Sequence, residues 1–139
     1  MGCDITVHAE VFDRGKWKYY GEYFMSRSYY MFGLMADVYT EEGVEPVFKA
    51  RGLPDYVSPE MYKKWYTEIG QFMTNKYVYS QSFGCSYLTN KDIDKINKAS
   101  KHSKLLNYIY KNHSKYMEGT KKLGFDDYEK SRLIFWFDN

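Results

Sequence analysis

The sequence predicts an α+β domain in which an antiparallel sheet, built from an N-terminal hairpin and a C-terminal strand, packs with several helices. Three observations carry this. Residues 4–11 alternate polar and apolar side chains, the period of a strand. An aromatic run, Trp17-Lys18-Tyr19-Tyr20, follows the turn-forming stretch Asp13-Arg14-Gly15-Lys16. The closing segment Arg132-Leu133-Ile134-Phe135-Trp136-Phe137-Asp138-Asn139 is branched, aromatic and almost wholly apolar, as a strand buried on both faces is.

The elements between follow from local signals. Ser28 caps a short buried helix carrying Tyr29, Phe32, Leu34, Met35 and Val38. Thr40–Pro46 is a loop, and Phe48–Tyr56 is turn-rich around Arg51-Gly52-Leu53-Pro54-Asp55. Ser58-Pro59-Glu60 starts a helix expected to reach Ile69 and end at Gly70. Tyr77–Tyr87 holds a strand-like half and a small-residue half. Thr89-Asn90-Lys91-Asp92 is a capping box with Asp in place of Glu, opening a helical region to about Glu118 with a break near Ser100. The helices are expected on one face of the sheet.

At 139 residues and 44% hydrophobic content the chain supports one domain over residues 1–139, with a real core. It lacks the 18 or more consecutive apolar residues of a membrane span. A net charge of +2 argues against a generic nucleic-acid coat. Two cysteines, Cys3 and Cys85, outside any Cys-x-x-Cys motif read as reduced thiols of a cytoplasmic protein. Met1-Gly2-Cys3 also fits a lipid-anchor pattern, but the strand alternation beginning at Asp4 takes precedence.

Two constellations could carry chemistry. Asp4, His8 and Glu10 share one face of the first strand, with His8 and Glu10 about 6–7 Å apart. Asp138 could join them, giving a divalent-metal or proton-transfer site, against the plainer expectation of a solvated sheet face. The second set is anion-binding. Arg27 precedes a helix and Arg51 sits in a fixed loop. Ser80, Ser82, Ser86 and Thr89 lead into another helix, while Tyr29, Tyr30, Tyr87 and Trp136 could stack a base. Its plainer counterpart is Arg51 pairing with an acid such as Asp55, or holding carbonyls, while Ser86 and Thr89 cap a helix.

His102 and His113 are too far apart for one metal ion. The basic face of Lys91, Lys95, Lys98, Lys101, Lys104, Lys111, Lys115, Lys121 and Lys122 is expected to be solvated. Cys85 between Gly84 and Ser86 is weak evidence for a nucleophile. The 16 tyrosines are spread along the chain rather than gathered in one patch.

Several segments, in order, resemble a family of short phage and prophage proteins. They are Met1-Gly2-Cys3-Asp4-Ile5, Arg27 through Ala36, Arg51-Gly52-Leu53-Pro54-Asp55-Tyr56-Val57-Ser58, Ser86-Tyr87-Leu88-Thr89 and Phe135-Trp136-Phe137-Asp138-Asn139. The resemblance implies a phage origin and action on host machinery or defence, with no established activity. Family members carry histidines where this chain has Thr6 and Phe83-Gly84-Cys85, which weakens a metal-enzyme reading.

The favoured expectation is a cytoplasmic, homo-oligomeric binding protein, without cofactor or membrane association. It would sequester a phosphate-bearing ligand such as a cyclic-nucleotide immune signal. Arg27 and Arg51 would hold phosphate, Tyr29, Tyr87 and Trp136 would stack the base, and Ser82 and Ser86 would tune specificity. The alternatives are a metal-dependent phosphodiesterase or nuclease using Asp4, His8, Glu10 and Asp138, and a protein-binding inhibitor of a host defence factor.

Overall fold

The computed structural model describes residues 2–73, 82–110 and 130–139. Within them five strands form one antiparallel sheet: β1 (Asp4–Asp13), β2 (Lys16–Met25), β3 (Ser82–Thr89), β4 (Ile109–Tyr110) and β5 (Lys130–Asp138). Their spatial order is β3-β5-β1-β2-β4. The hairpin forms as expected. Arg14 and Gly15 both take positive φ, 53° and 79°, between the paired residues Asp13 and Lys16, a turn whose twist matches that of the strands it joins. The C-terminal strand is interior, pairing with β1 on one side and β3 on the other.

The helices are α1 (Tyr29–Ala36), α2 (Pro59–Trp65), a short α3 (Gln71–Met73) and α4 (Asn90–Ala99). Ser28, Ser58 and Thr89 cap α1, α2 and α4 by accepting backbone N–H groups. The capping box is complete, since Asp92 also accepts the Thr89 N–H. Gly70 does not end the second helix. The chain passes from α2 through a π-helical turn, Tyr66–Gly70, into α3. A Cβ on Gly70 would lie 2.5 Å from Trp65 Cζ3, so only glycine lets this wide turn close over the indole. The fourth helix stops at Ala99, and residues 105–108 form a 3₁₀ turn leading into β4. The expected continuation to Glu118 otherwise falls outside the described residues, as do Tyr77, Ser80 and His113.

Helices cover both faces of the sheet, not one. On the first face Ile5, Val7, Ala9, Tyr23, Met25, Leu133, Phe135 and Phe137 pack against apolar residues of α1 and α4. On the second, Ile134 and Trp136 meet Met61 of α2, with Tyr19, Val57, Trp65, Cys85 and Tyr87 around them. His8 and Glu10 therefore do not face water, at 1% and 0% exposed, whereas Asp4 at the strand start does.

Two register shifts interrupt the sheet. In β2 the pairing steps from Ala9·Gly21 to Glu10·Tyr19, which turns Tyr19 toward Glu10 and His8. In β3 a bulge between Phe83 and Ser86 contains Gly84 at φ +66°, tight against the Phe137 ring.

Candidate ligand cleft between the sheet and the second helix

Directly opposed residues place Thr6, Phe24 and Trp136 in one row across the second face, His8, Glu22 and Ile134 in the next, and Glu10, Tyr19 and Arg132 in the third. The third row anchors the start of α2. One oxygen of Glu10 accepts the Ser58 N–H at 2.7 Å, and the other accepts Arg132 Nε and Nη2 at 3.0 and 2.7 Å. The same guanidinium donates to the Tyr56 carbonyl and lies 3.7 Å from the centroid of the Trp17 ring. A fully buried carboxylate is tolerable here because an arginine and a helix N-terminus both compensate it.

Beside this anchor a cleft of about 470 Å³ opens between the sheet and the polar side of α2. Thr6, His8, Glu22 and Trp136 line it from the sheet. Glu60, Lys63, Lys64, Thr67 and Glu68 line it from α2 and the π-helical turn. These five helix-side residues recur at helical spacing, a polar stripe opposite Met61, Trp65 and Ile69.

His8 is the centre of the floor. Its Nδ1 lies 2.9 Å from the Tyr19 hydroxyl, and its ring packs on Trp136 at 4.9 Å between centroids. Its Nε2 is 3.7 Å from Glu22 Oε1, beyond hydrogen-bond range. Burial, then the nearby Lys64 charge, lower its pKa to about 4, so the ring is neutral at pH 7 and its contact with Glu22 is not an ion pair. Burial, then Glu22 and Glu60, raise the Tyr19 pKa and keep the phenol protonated. Lys64 Nζ lies 5.4 Å from the centroid of the Tyr19 ring. Among the described residues, the buried side-chain nitrogens without a hydrogen-bond partner are His8 Nε2 and Trp136 Nε1. Both belong to residues that line this cleft.

The residues singled out from sequence are dispersed. Asp4 receives a two-pronged bond from Arg27 at 3.0 and 2.7 Å. Asp138 accepts from Thr6 and Ser82, and Glu10 is committed to Arg132 and Ser58. Asp4, His8, Glu10 and Asp138 thus do not converge on one point. No group of three or more His, Cys, Asp or Glu able to hold a metal ion occurs among the described residues.

Of the anion-binding set, Arg51, Ser86 and Tyr87 do come together. Arg51 pairs with Asp92 at 2.8 Å rather than with Asp55, donates to the Tyr87 carbonyl and stacks on the Tyr87 ring at 4.2 Å. Its backbone N–H donates to Ser86 Oγ. Burial acts to raise the Asp92 pKa, but Arg51 and Thr89 outweigh it and hold the carboxyl low. This cluster fastens the start of α4, and its guanidinium is already occupied.

Arg27 is spent on Asp4, and Tyr29 accepts the Cys3 N–H and stacks on Tyr39. Trp136 is 1% exposed and its Nε1 is buried, so neither its ring face nor its N–H edge is available to a base. Tyr30 accepts the Lys101 N–H, and His102 packs on its ring. Lys91, Lys95, Lys98, Lys101 and Lys104 are exposed, as a solvated face requires, while the remaining lysines of that set lie outside the described residues. Burial pushes the Cys85 thiol up to about 12, which disfavours a nucleophilic thiolate.

No helix of the described residues is long and apolar enough to cross a membrane. Comparison with protein-family models, with curated proteins and with solved structures finds no match, so the cleft has to be read from its own chemistry.

Proposed function

We propose that the protein is a small-molecule binder that holds a phosphate-bearing, nucleotide-class ligand in the cleft between the sheet and α2. The observation that carries this is one cleft whose lining joins Lys63 and Lys64 of α2 with the neutral His8 and Thr6 of the sheet. Lys63 and Lys64 offer the phosphate its charge. Glu22, Glu60 and Glu68 make the lining mixed, which suits a ligand carrying both phosphate and hydrogen-bond donors better than a bare polyanion. Capture of a cyclic-nucleotide immune signal by a phage-derived, oligomeric protein is the biological form of this proposal, and it rests on the family resemblance.

The test is retention of mono- and cyclic nucleotides by purified protein, read by chromatography after denaturation. Retention of intact ligand is expected. Replacing Lys63 and Lys64 together by Ala should weaken it about tenfold, the scale of a charge-assisted bond, while Arg51→Ala leaves affinity unchanged. Binding that survives loss of both lysines but vanishes with Arg51→Ala would return the site to the arginine cluster.

A second reading has one observation in its favour. Tyr62 and Tyr66 stack on each other at 6.1 Å and are 51% and 49% exposed, an aromatic patch a protein partner could use. Co-purification of a host protein that Tyr62→Ser abolishes would support it.

A further inference from the structure

A second pocket, of about 470 Å³, opens where the end of the β1–β2 hairpin meets the loop entering α2. No described residue lines both this pocket and the first cleft. Phe12 and Trp17 of the hairpin, with Tyr56, Val57 and Pro59, make its walls apolar and largely aromatic. Lys16 is the one charged side chain among the described lining residues. Aromatic walls with a single charge suit a flat ligand carrying a single opposite charge.

The walls are held in place by the fold. Arg132, itself buried, lies 3.7 Å from the centroid of the Trp17 ring, and Phe12 packs on that ring at 5.3 Å and 66°. The Tyr56 carbonyl accepts from the same arginine, while the Tyr56 residue as a whole is 82% exposed. Its backbone is thus fixed and its ring is open to a ligand.

Aromatic walls can also cage a cation, and charge decides between the two. Here the rings already carry cations: Arg132 on Trp17, and Lys130, whose Nζ is 5.2 Å from the centroid of the Phe12 ring. Arg14 and Lys16 are exposed in the adjoining turn. The acid of that turn, Asp13, is bridged to Lys18 at 3.1 Å. Lys16 has no ion-pair partner among the described residues. Asp55 and Glu60, on either side of the loop's entry into α2, do not line the pocket. The site is therefore set for an anion.

We infer that this pocket is a second ligand site that takes a small aromatic carboxylate, its ring against Tyr56 and Trp17 and its carboxylate on Lys16. The assignment stands apart from the nucleotide reading of the first cleft.

The test compares naphthoate with naphthylmethylammonium, a probe of the same ring and opposite charge, on the intact protein at pH 7. Binding is followed through the indole N–H resonances of Trp17, Trp65 and Trp136. Naphthoate is expected to shift Trp17, leave Trp136 in place and bind about tenfold more tightly than the ammonium probe, because an attraction of surface-ion-pair strength becomes a repulsion of similar size. Lys16→Glu should erase that preference, and Tyr56→Ala should weaken naphthoate about fivefold. Replacing Lys63 and Lys64 together by Ala should change nothing. Equal affinity for the two probes, no saturable shift of Trp17, or a loss of binding with Lys63 and Lys64 in place of Lys16 would each overturn the assignment. Lys16 and Tyr56 are both exposed, so their replacement leaves the core intact. Should either variant fail to fold, the comparison of the two probes on the wild type decides alone.

Discussion

The two faces of the sheet bury comparable strand residues in different ways. On the first, Val7, Ala9, Leu133, Phe135 and Phe137 close flush against α1 and α4. On the second, the apolar contact shrinks to Met61, Ile134 and Trp136 with their partly buried neighbours, and the helix start is held by Glu10, Arg132 and the Ser58 N–H. Apolar packing is non-directional and draws surfaces together along their whole length. A directional ionic anchor fixes the start of α2, Met61, Trp65 and Ile69 hold its apolar side on the sheet, and its polar stripe borders the cleft. The second face thus combines a smaller apolar contact with a cavity lined by polar groups.

The strongest way to break this comparison is to remove the anchor. Glu10→Ala should cost about 3–5 kcal/mol, because Arg132 is left buried without its counter-ion and the Ser58 N–H loses its acceptor. Urea unfolding at pH 7 measures it. Replacing Glu10 by Met and Arg132 by Leu together should recover most of the loss. On the first face a volume-conserving change such as Leu133→Met should cost under about 1.5 kcal/mol. Equal costs for Glu10→Ala and Leu133→Met would show that the anchor does not hold the second face.

Acid separates the faces next. His8 has a folded pKa of about 4 against 6.5 unfolded, so between these values the unfolded chain binds more protons. Stability is therefore intact above about pH 6.5 and falls as pH drops toward 4. The loss approaches about 3 kcal/mol at the bottom of that window. Urea midpoints across this range should decline in the wild type and stay nearly level in His8→Gln. An identical decline in both proteins would assign the acid sensitivity to other groups.

The first face was legible in the sequence, and the second was legible only in part. Period-two alternation locates β1, the turn and caps locate the hairpin and helix starts, and the apolar run identifies β5 as interior. The same alternation suggests a solvated face for His8 and Glu10, because a local pattern cannot reveal that α2 returns over it. Local pattern places Arg132 only within the closing strand, since pairing with Glu10 depends on a contact 122 positions apart. The helix side of the cleft did leave a signal, the polar stripe of Glu60, Lys63, Lys64, Thr67 and Glu68. Arg51 and Arg27 looked like ligand groups because sequence shows the charge without the carboxylate that occupies it.

A smaller effect tests that last point. Arg51→Ala should destabilise the fold by about 1–3 kcal/mol, by stripping Asp92 and the Tyr87 carbonyl of a donor. Because Asp92 is held below its ordinary pKa, its contribution is present above that value and is lost as pH falls through the lower one. The variant should accordingly show a flatter stability profile below about pH 4 than the wild type. A variant of full stability would mean that the arginine cluster is not structural.

The finest comparison uses one thiol on each face. Cys3 belongs to the first core and Cys85 to the second, and burial raises the pKa of both. Both are therefore slow to react at pH 8, because the thiolate is the reactive form. Their exposure differs. Cys3 is 1% exposed, and its backbone N–H is held by Tyr29, so it reacts only after local opening. Cys85 lies within β3 beside Trp65 and is already partly exposed, so its raised pKa is what slows it. Alkylation followed by peptide mass spectrometry should find Cys85 modified first. A saturating nucleotide should slow Cys85 and leave Cys3 unchanged, since a ligand bound only to the closed cleft stabilises the face that forms it. Equal rates, slowed equally, would show that the two faces open as one unit and that the ionic anchor gives the second no independent motion.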